Sequence, residues 1–288
     1  SNLAGLHLFK TDSIVSILDR IILIGLCIFM LHTNIFRGHN GIMYFVYAQT
    51  IAYLTSAITV FIIILRKTHT FKISWNWPFS LMILKKSLPF AILTLLMSFY
   101  NRIDTVMIER MLPTGVGDVQ SGIYAQAFRI LDATNMIAFL TAGMLLPIFS
   151  RMLKYKESVE SLVKLISTLL LAPAIVIGVS CSFYSTQFMD LIYDQHIDES
   201  AAIFGLIMLS FIAVSTTYIF GTLLTANGNM KQLNIMAALR MVVNISLNLI
   251  LIDDHLKAYG SAISSLITQF LTAIIQVIIA QRIFKFKV

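Results

Sequence analysis

Residues 42–65 read IMYFVYAQTIAYLTSAITVFIIIL, a run from Ile42 to Leu65 with no charged side chain. Coiled into a helix at ~1.5 Å per residue, such a run reaches across a hydrocarbon core ~30 Å thick. Similar stretches recur at Ile14 to Leu31, Pro89 to Leu112, Gly122 to Phe149, Leu162 to Phe183, Ala201 to Thr225, Gln232 to Ile252 and Tyr259 to Ile283, separated by short polar joints. The pattern predicts an all-α, polytopic transmembrane bundle of about eight spanning helices. Within hydrocarbon every backbone polar group needs an internal partner, and these runs lack the alternation of barrel strands.

The composition agrees. Of 288 residues 58% are hydrophobic and 12% charged, and the mean hydropathy is +0.84. An ordinary soluble domain is about half apolar and a quarter charged. Cys27 and Cys181 stand alone in apolar runs and read as small buried hydrophobes, which excludes a disulfide scaffold or metal ribbon. The joints carry turn residues, as at Gly38 to Gly41, Trp75 to Pro78, Pro113 to Gly117 and Asn227 to Asn229. Pro89 suits a first helical turn, whereas Pro147 and Pro173 fall late or inside helices and predict kinks.

The 21 Lys and Arg outnumber the 14 Asp and Glu, and their distribution gives an orientation. One side collects Lys10; Arg66, Lys67, Lys72, Lys85 and Lys86; Arg151, Lys154 and Lys156; Lys231; and Arg282, Lys285 and Lys287. The other holds Arg37, Arg110 and Lys257 together with Asp190, Asp194, Asp198, Glu199, Asp253 and Asp254. The positive-inside rule then predicts both termini in the cytoplasm. The chain opens at Ser1 with no signal peptide ahead of the first span, and is expected to begin inside a longer protein. A faint echo agrees. Arg20 and Arg240 hold corresponding places in Thr11 to Leu31 and Lys231 to Leu251, and each span is followed by a helix with a glutamine, Gln49 or Gln269.

Five basic residues remain inside the spans: Arg20, Arg102, Arg129, Lys164 and Arg240. Lys164 can snorkel from an inner helix end. A charge buried in a bilayer costs from ~2.5 to well over 10 kcal/mol, so the arginines require partners or a wet cavity. Counted from the ends of the apolar runs, Arg102 and Arg129 form an outer tier, and Arg20 and Arg240 an inner one. Helical spacing places Thr94, Ser98, Asn101, Arg102, Thr105 and Glu109 on one side of the third span, with Asp104 roughly opposite Arg102 and needing another partner. Arg129 neighbours Asp132, and Arg240 shares a face with Asn244 and Asn248. Such stripes line an aqueous cavity for anions and sugar hydroxyls. Alternatively, Arg102, Asp104, Arg129 and Asp132 form a buried ion-pair network that fixes helix register, and Arg20 pairs with the adjacent Asp19 at the interface. Ser261, Ser265, Thr268 and Thr272 read as a small-residue packing face. No metal-ligand spacing, phosphate-binding glycine loop or nucleophile constellation emerges, so neither an enzyme nor a cofactor is expected.

The stretch Leu88 to Glu109 with Tyr100-Asn101-Arg102-Ile103-Asp104, then Gly122-Ile123-Tyr124-Ala125, and Leu145-Leu146-Pro147-Ile148-Phe149-Ser150-Arg151, resembles the Wzx-type polysaccharide flippases. Further on, Gly221-Thr222-Leu223-Leu224-Thr225-Ala226-Asn227-Gly228, Asn244 to Ile252 and Tyr259-Gly260-Ser261-Ala262-Ile263 look like that family's last two helices. The family shares a superfamily with multidrug and toxic compound extrusion transporters, whose plan is two parallel six-helix bundles. On that plan residues 1–72 would be the last two helices of a first bundle and 73–288 the whole second bundle.

The resemblance implies a bacterial inner-membrane flippase that carries a polyprenyl-pyrophosphate-linked oligosaccharide to the outer leaflet for O-antigen or capsule synthesis. Its partners would be that lipid-linked substrate, membrane lipids and other membrane proteins of polysaccharide assembly, with no nucleic acid. Arg102 and Arg129 match the family's charged positions best. Arg20 and Arg240 rest on depth, with Asp104, Asp132, Glu109, Asn244 and Asn248 in support. The alternatives are an organic-cation antiporter, which would favour a mostly acidic cavity, and a membrane-embedded glycosyltransferase or polymerase. The latter would need a larger outer loop than Tyr184 to Ser200.

Overall fold

The computed structural model describes residues 9–32, 41–67 and 76–286. Arg37, Gly38, Lys72 and Lys287 lie outside them. The described residues form nine helices and no strand: α1 Phe9–His32, α2 Gly41–Lys67, α3 Trp77–Met111, α4 Val116–Lys154, α5 Glu160–Phe183, α6 Ser185–Ile192, α7 Ile197–Ala226, α8 Met230–Leu251 and α9 Lys257–Phe284. Seven of them, all except α1 and α6, are long and apolar enough to cross a membrane. The first expected span lies within α1, of which only the side chains of 17–32 are described. The chain is a multi-pass helical membrane protein.

Two compact units divide it, Ser1–Trp77 and Pro78–Val288. In the first, α1 packs on α2, where Ala48 and Ala52 are buried. Small residues one turn apart let two backbones approach. Thr50, Thr55 and Thr59 fold their hydroxyls back onto carbonyls four residues earlier, which satisfies them without water.

The second unit is built around α7, which packs on α4, α5, α6, α8 and α9. Its sequence is apolar on every side, as a helix surrounded by protein requires. Phe204, Ile207, Met208 and Phe211 are buried, and Ser200, Ala201, Ser210 and Ala213 keep it slim. A side chain on Gly178 of α5 would meet the Met208 carbonyl at 3.0 Å, so these two helices touch backbone to backbone. Asp198 and Glu199 occupy the first turn of α7, where carboxylates complement the helix dipole. Gln120 of α4 donates to Glu199 at 2.7 Å and accepts from the Ala258 amide at 3.4 Å. These bonds tie the starts of α4, α7 and α9 together.

Two boundaries differ from expectation. Pro89 lies inside α3, which begins at Trp77, so Pro78 is the first-turn proline. Asn234 of α8 donates to the Pro89 carbonyl at 3.0 Å and ties α3 to α8 beside this proline. The joint Tyr184 to Ser200 contains α6, anchored by buried Met189 and by Phe188 stacked on Phe204 at 5.2 Å. Pro147 and Pro173 are inside α4 and α5.

Between α8 and α9 the chain reverses tightly. A Cβ on Gly260 would run into the Leu251 carbonyl oxygen, so only glycine permits this approach. Asp253 accepts from the His255 and Leu256 amides at 3.1 and 2.6 Å, an Asx turn that fixes the reversal.

Candidate functional site

Helix α3 buries Tyr100, Asp104 and Ile108, spaced four apart and therefore on one face. Thr94, Ser98, Asn101, Arg102 and Glu109 are exposed and Thr105 is half-buried, so the polar stripe is not the face that packs. Asp104, only 2% exposed, has its partner, and it is not a cation. Its Oδ1 accepts from Asn248 Nδ2 at 2.7 Å and its Oδ2 from the Tyr124 hydroxyl at 2.8 Å. Ser265 Oγ donates to the same Oδ2. Asn248 also donates to Asn244 Oδ1 at 3.3 Å. Four helices, α3, α4, α8 and α9, thus meet in one buried polar knot. Bonds to a charged acceptor are about twice as strong as neutral ones.

A turn away from this knot, Arg240 of α8 lies over the Tyr100 ring with its guanidinium carbon 3.5 Å from the centroid. The Tyr100 hydroxyl bonds to Thr268 Oγ1 at 3.0 Å, which holds the ring in place. A stacked guanidinium of this kind gains about 1–2 kcal/mol where water is excluded. Arg240 Nε is buried and has no hydrogen-bond partner within the protein.

Arg240 also lines a cavity of about 1010 Å³ formed by α3, α4, α7, α8 and α9. Its apolar wall includes Leu93, Met97, Phe128, Met136, Phe139 and Leu233, and its polar wall includes Asn101, Asn135, Thr217, Tyr218, Gln269, Thr272 and Gln276. Asp132 and Arg240 are the charged residues of the lining. Tyr218 lines the cavity with them. The size matches the upper end of small-molecule sites, and the mix of apolar surface with few polar groups is typical of them.

Of the residues singled out in the sequence, Arg240 and Asp132 both line the cavity. Arg102 acts electrostatically on Asp132 but does not border the cavity, and neither does Arg129. Both are exposed, as is Glu109. Asn244 and Asn248 are buried in the knot. Arg20 belongs to the first unit, where its Nε lies 3.6 Å from Asp19 and its side chain is 64% exposed. Among the described residues, ion pairs within 4 Å are Arg20 with Asp19 and Lys164 with Glu160. The alternative of a four-membered ion-pair network is not what forms, since neutral donors surround Asp104 instead. No cluster of three or more His, Cys, Asp or Glu side chains occurs among the described residues.

Two features escaped the sequence. The face Ser261 to Thr272 does more than pack, because Ser265 and Thr268 reach the Asp104 knot and Tyr100. Gln269 and Gln276, 5% and 6% exposed, are cavity residues. Two amides seven apart in an apolar spanning helix, with Thr272 between them, were the available signal, since polar groups within a membrane face protein or cavity.

No curated protein and no solved structure matches the chain. Residues 7–153, just over half of its 288, match a family described as "Polysaccharide biosynthesis protein", a stretch that supplies Tyr100, Asp104 and Asp132 to the arrangement above. This multi-pass membrane chain belongs to the polysaccharide biosynthesis protein family.

Proposed function

We propose that the chain is the transporting part of a Wzx-type flippase, moving a polyprenyl-pyrophosphate-linked saccharide to the outer leaflet of a bacterial inner membrane. The observation that carries this reading is Arg240, held on Tyr100 at the edge of a large, partly apolar cavity with an unpartnered Nε. A guanidinium presents a fork to phosphate oxygens, and the cavity offers apolar and hydroxyl-compatible walls beside it. Arg102, whose charge reaches Asp132, would be a second cation on the approach. Arg129 does not line this cavity, and Arg20 belongs to the first unit. Residues 1–72 are read as the tail of a first bundle and 73–288 as the second bundle.

Deleting the gene is expected to remove surface polysaccharide while lipid-linked saccharide pyrophosphate accumulates on the inner leaflet. Failure to assemble the sugars on the lipid would point to a glycosyltransferase. Normal polysaccharide with raised sensitivity to organic cations would point to an antiporter.

The orientation proposed from the basic residues has its own check. Single cysteines near Asp194 and Asp254 should react with an impermeant maleimide from outside the cell, and cysteines near Lys85 and Lys154 should not. The reverse labelling would invert the topology.

A further inference from the structure

The cavity has fewer free hydrogen-bond donors than its lining suggests. The hydroxyls of Thr94, Thr222, Thr225 and Thr272 each donate to the backbone carbonyl four residues earlier, at 2.6–3.0 Å. The Tyr100 hydroxyl is engaged with Thr268. Gln269 and Gln276 of α9 and Asn135 of α4 are not committed in this way. Their side chains make no hydrogen bond among the described residues, although both glutamines are more than nine-tenths buried. All three line the cavity. The oxygen of each amide has almost no accessible surface, so the nitrogen is the end that a ligand in the cavity can reach. An amide N–H₂ group donates and does not accept. The uncommitted amides therefore suit a ligand rich in acceptors.

Sequence spacing orders the two glutamines. Thr268, one residue before Gln269, holds the Tyr100 ring on which Arg240 stacks, which sets Gln269 at about the level of the guanidinium. Gln276 follows on the same face of α9, ~10 Å nearer the Phe284 end. In the proposed orientation that end is cytoplasmic. The charges of the lining add a second argument. Asp132 offsets Arg240, and a pyrophosphate carries more negative charge than one guanidinium matches. Amide donors stabilise an oxyanion without adding a fixed charge. A carrier must also release its cargo, so neutral donors suit a site that fills and empties better than further cations would.

Resting on the transport reading above, we infer that the amide N–H₂ groups of Gln269 and Gln276 form a neutral donor track for the substrate pyrophosphate. Gln269 completes the seat beside Arg240. Gln276 meets the same group two turns nearer the inner end, as a stepping position on the way to that seat.

Equilibrium and stopped-flow binding of farnesyl pyrophosphate and of farnesol to the purified chain in lipid nanodiscs test the track. Gln269→Met, close in shape and without donors, should weaken farnesyl pyrophosphate roughly 10-fold, the loss of one hydrogen bond to a charged group, and leave farnesol unchanged. Gln269→Glu, which replaces the donor with a second oxygen, should weaken it further. Gln276→Met should leave the equilibrium affinity unaltered while slowing association and dissociation alike, by roughly 5-fold, the weight of one net hydrogen bond. Neither methionine variant should lower the melting temperature of the unliganded protein, because each removes a buried amide that has no partner.

Unchanged pyrophosphate binding in Gln269→Met, an equal loss for farnesol, or undiminished binding by Gln269→Glu overturns the seat. Unchanged rates in Gln276→Met overturn the stepping position. A melting temperature that falls in either methionine variant makes that glutamine structural and overturns its role. In each of those cases a loss of pyrophosphate binding in Arg240→Gln leaves the transport reading standing. Farnesyl pyrophosphate binding that is indifferent to Arg240→Gln overturns both.

Discussion

Arg240→Gln is expected to cause the same loss of surface polysaccharide that deleting the gene should cause, with lipid-linked saccharide accumulating inside and with normal amounts of protein in the membrane. The guanidinium is the cation of the cavity lining, and its position is set by Tyr100, which is itself fixed by Thr268. Removing one member of a desolvated charge pair costs about 2–5 kcal/mol, or ~30-fold or more in affinity. Glutamine keeps much of the side chain's length, so the cavity wall is not opened. Arg240→Lys should recover part of the function, because an ammonium preserves the charge but loses the planar fork and its stacking. Loss of membrane protein in Arg240→Gln, with export per molecule unchanged, would make the stack on Tyr100 a purely structural contact and sink the binding role.

The second large effect is on stability. Asn248→Leu should lower the thermal midpoint of the purified protein steeply, corresponding to about 3 kcal/mol or more, because it takes the donor from Asp104 Oδ1 in a site that is 2% exposed. A buried polar group that loses its partner forfeits its whole desolvation cost, and a charged one forfeits more. Adding Asp104→Asn to Asn248→Leu should restore part of the loss, since an amide has less charge to solvate. That pattern is a coupling between neighbours, measurable in a double-mutant cycle. Additive losses would show instead that Asn248 matters through Asn244 and Met107, its other contacts.

Both predictions turn on residues that the sequence displayed unequally. Chain-wide apolar runs made the all-helical, multi-pass architecture legible, because hydrocarbon leaves the backbone no other solution. Their ends were harder. Lys85, Lys86 and Pro89 together look like a joint, yet α3 runs through them, and the Asn234 bond that ties α3 to α8 beside Pro89 comes from a residue far along the chain that nothing in the local sequence announces. Arg240, Asn244 and Asn248 were recognisable as one face of a helix. On α3 the periodicity separated two faces correctly but gave no sign of which met protein, and the Tyr100, Asp104 and Ile108 face won because Tyr124, Asn248 and Ser265 converge on it. The ion-pair alternative failed for the same reason. A carboxylate can be satisfied by three neutral donors from distant helices, and proximity along one helix, as between Arg129 and Asp132, does not ensure contact.

The tight reversal at Gly260 has a consequence for how such chains diversify. Because Leu251 and Gly260 abut, α8 and α9 form one hairpin, and that hairpin carries both Arg240 and the pair Gln269 and Gln276. Anchor and amides are therefore encoded by a single contiguous stretch, Met230 to Phe284, rather than by fragments scattered through the chain. A recombination event that exchanged this stretch between two related genes would pass on Arg240 and the two glutamines of the cavity lining together, already spaced for one another. This part of the cavity lining then travels as one inherited cassette, with the glycine at its bend as the residue the crossover must keep.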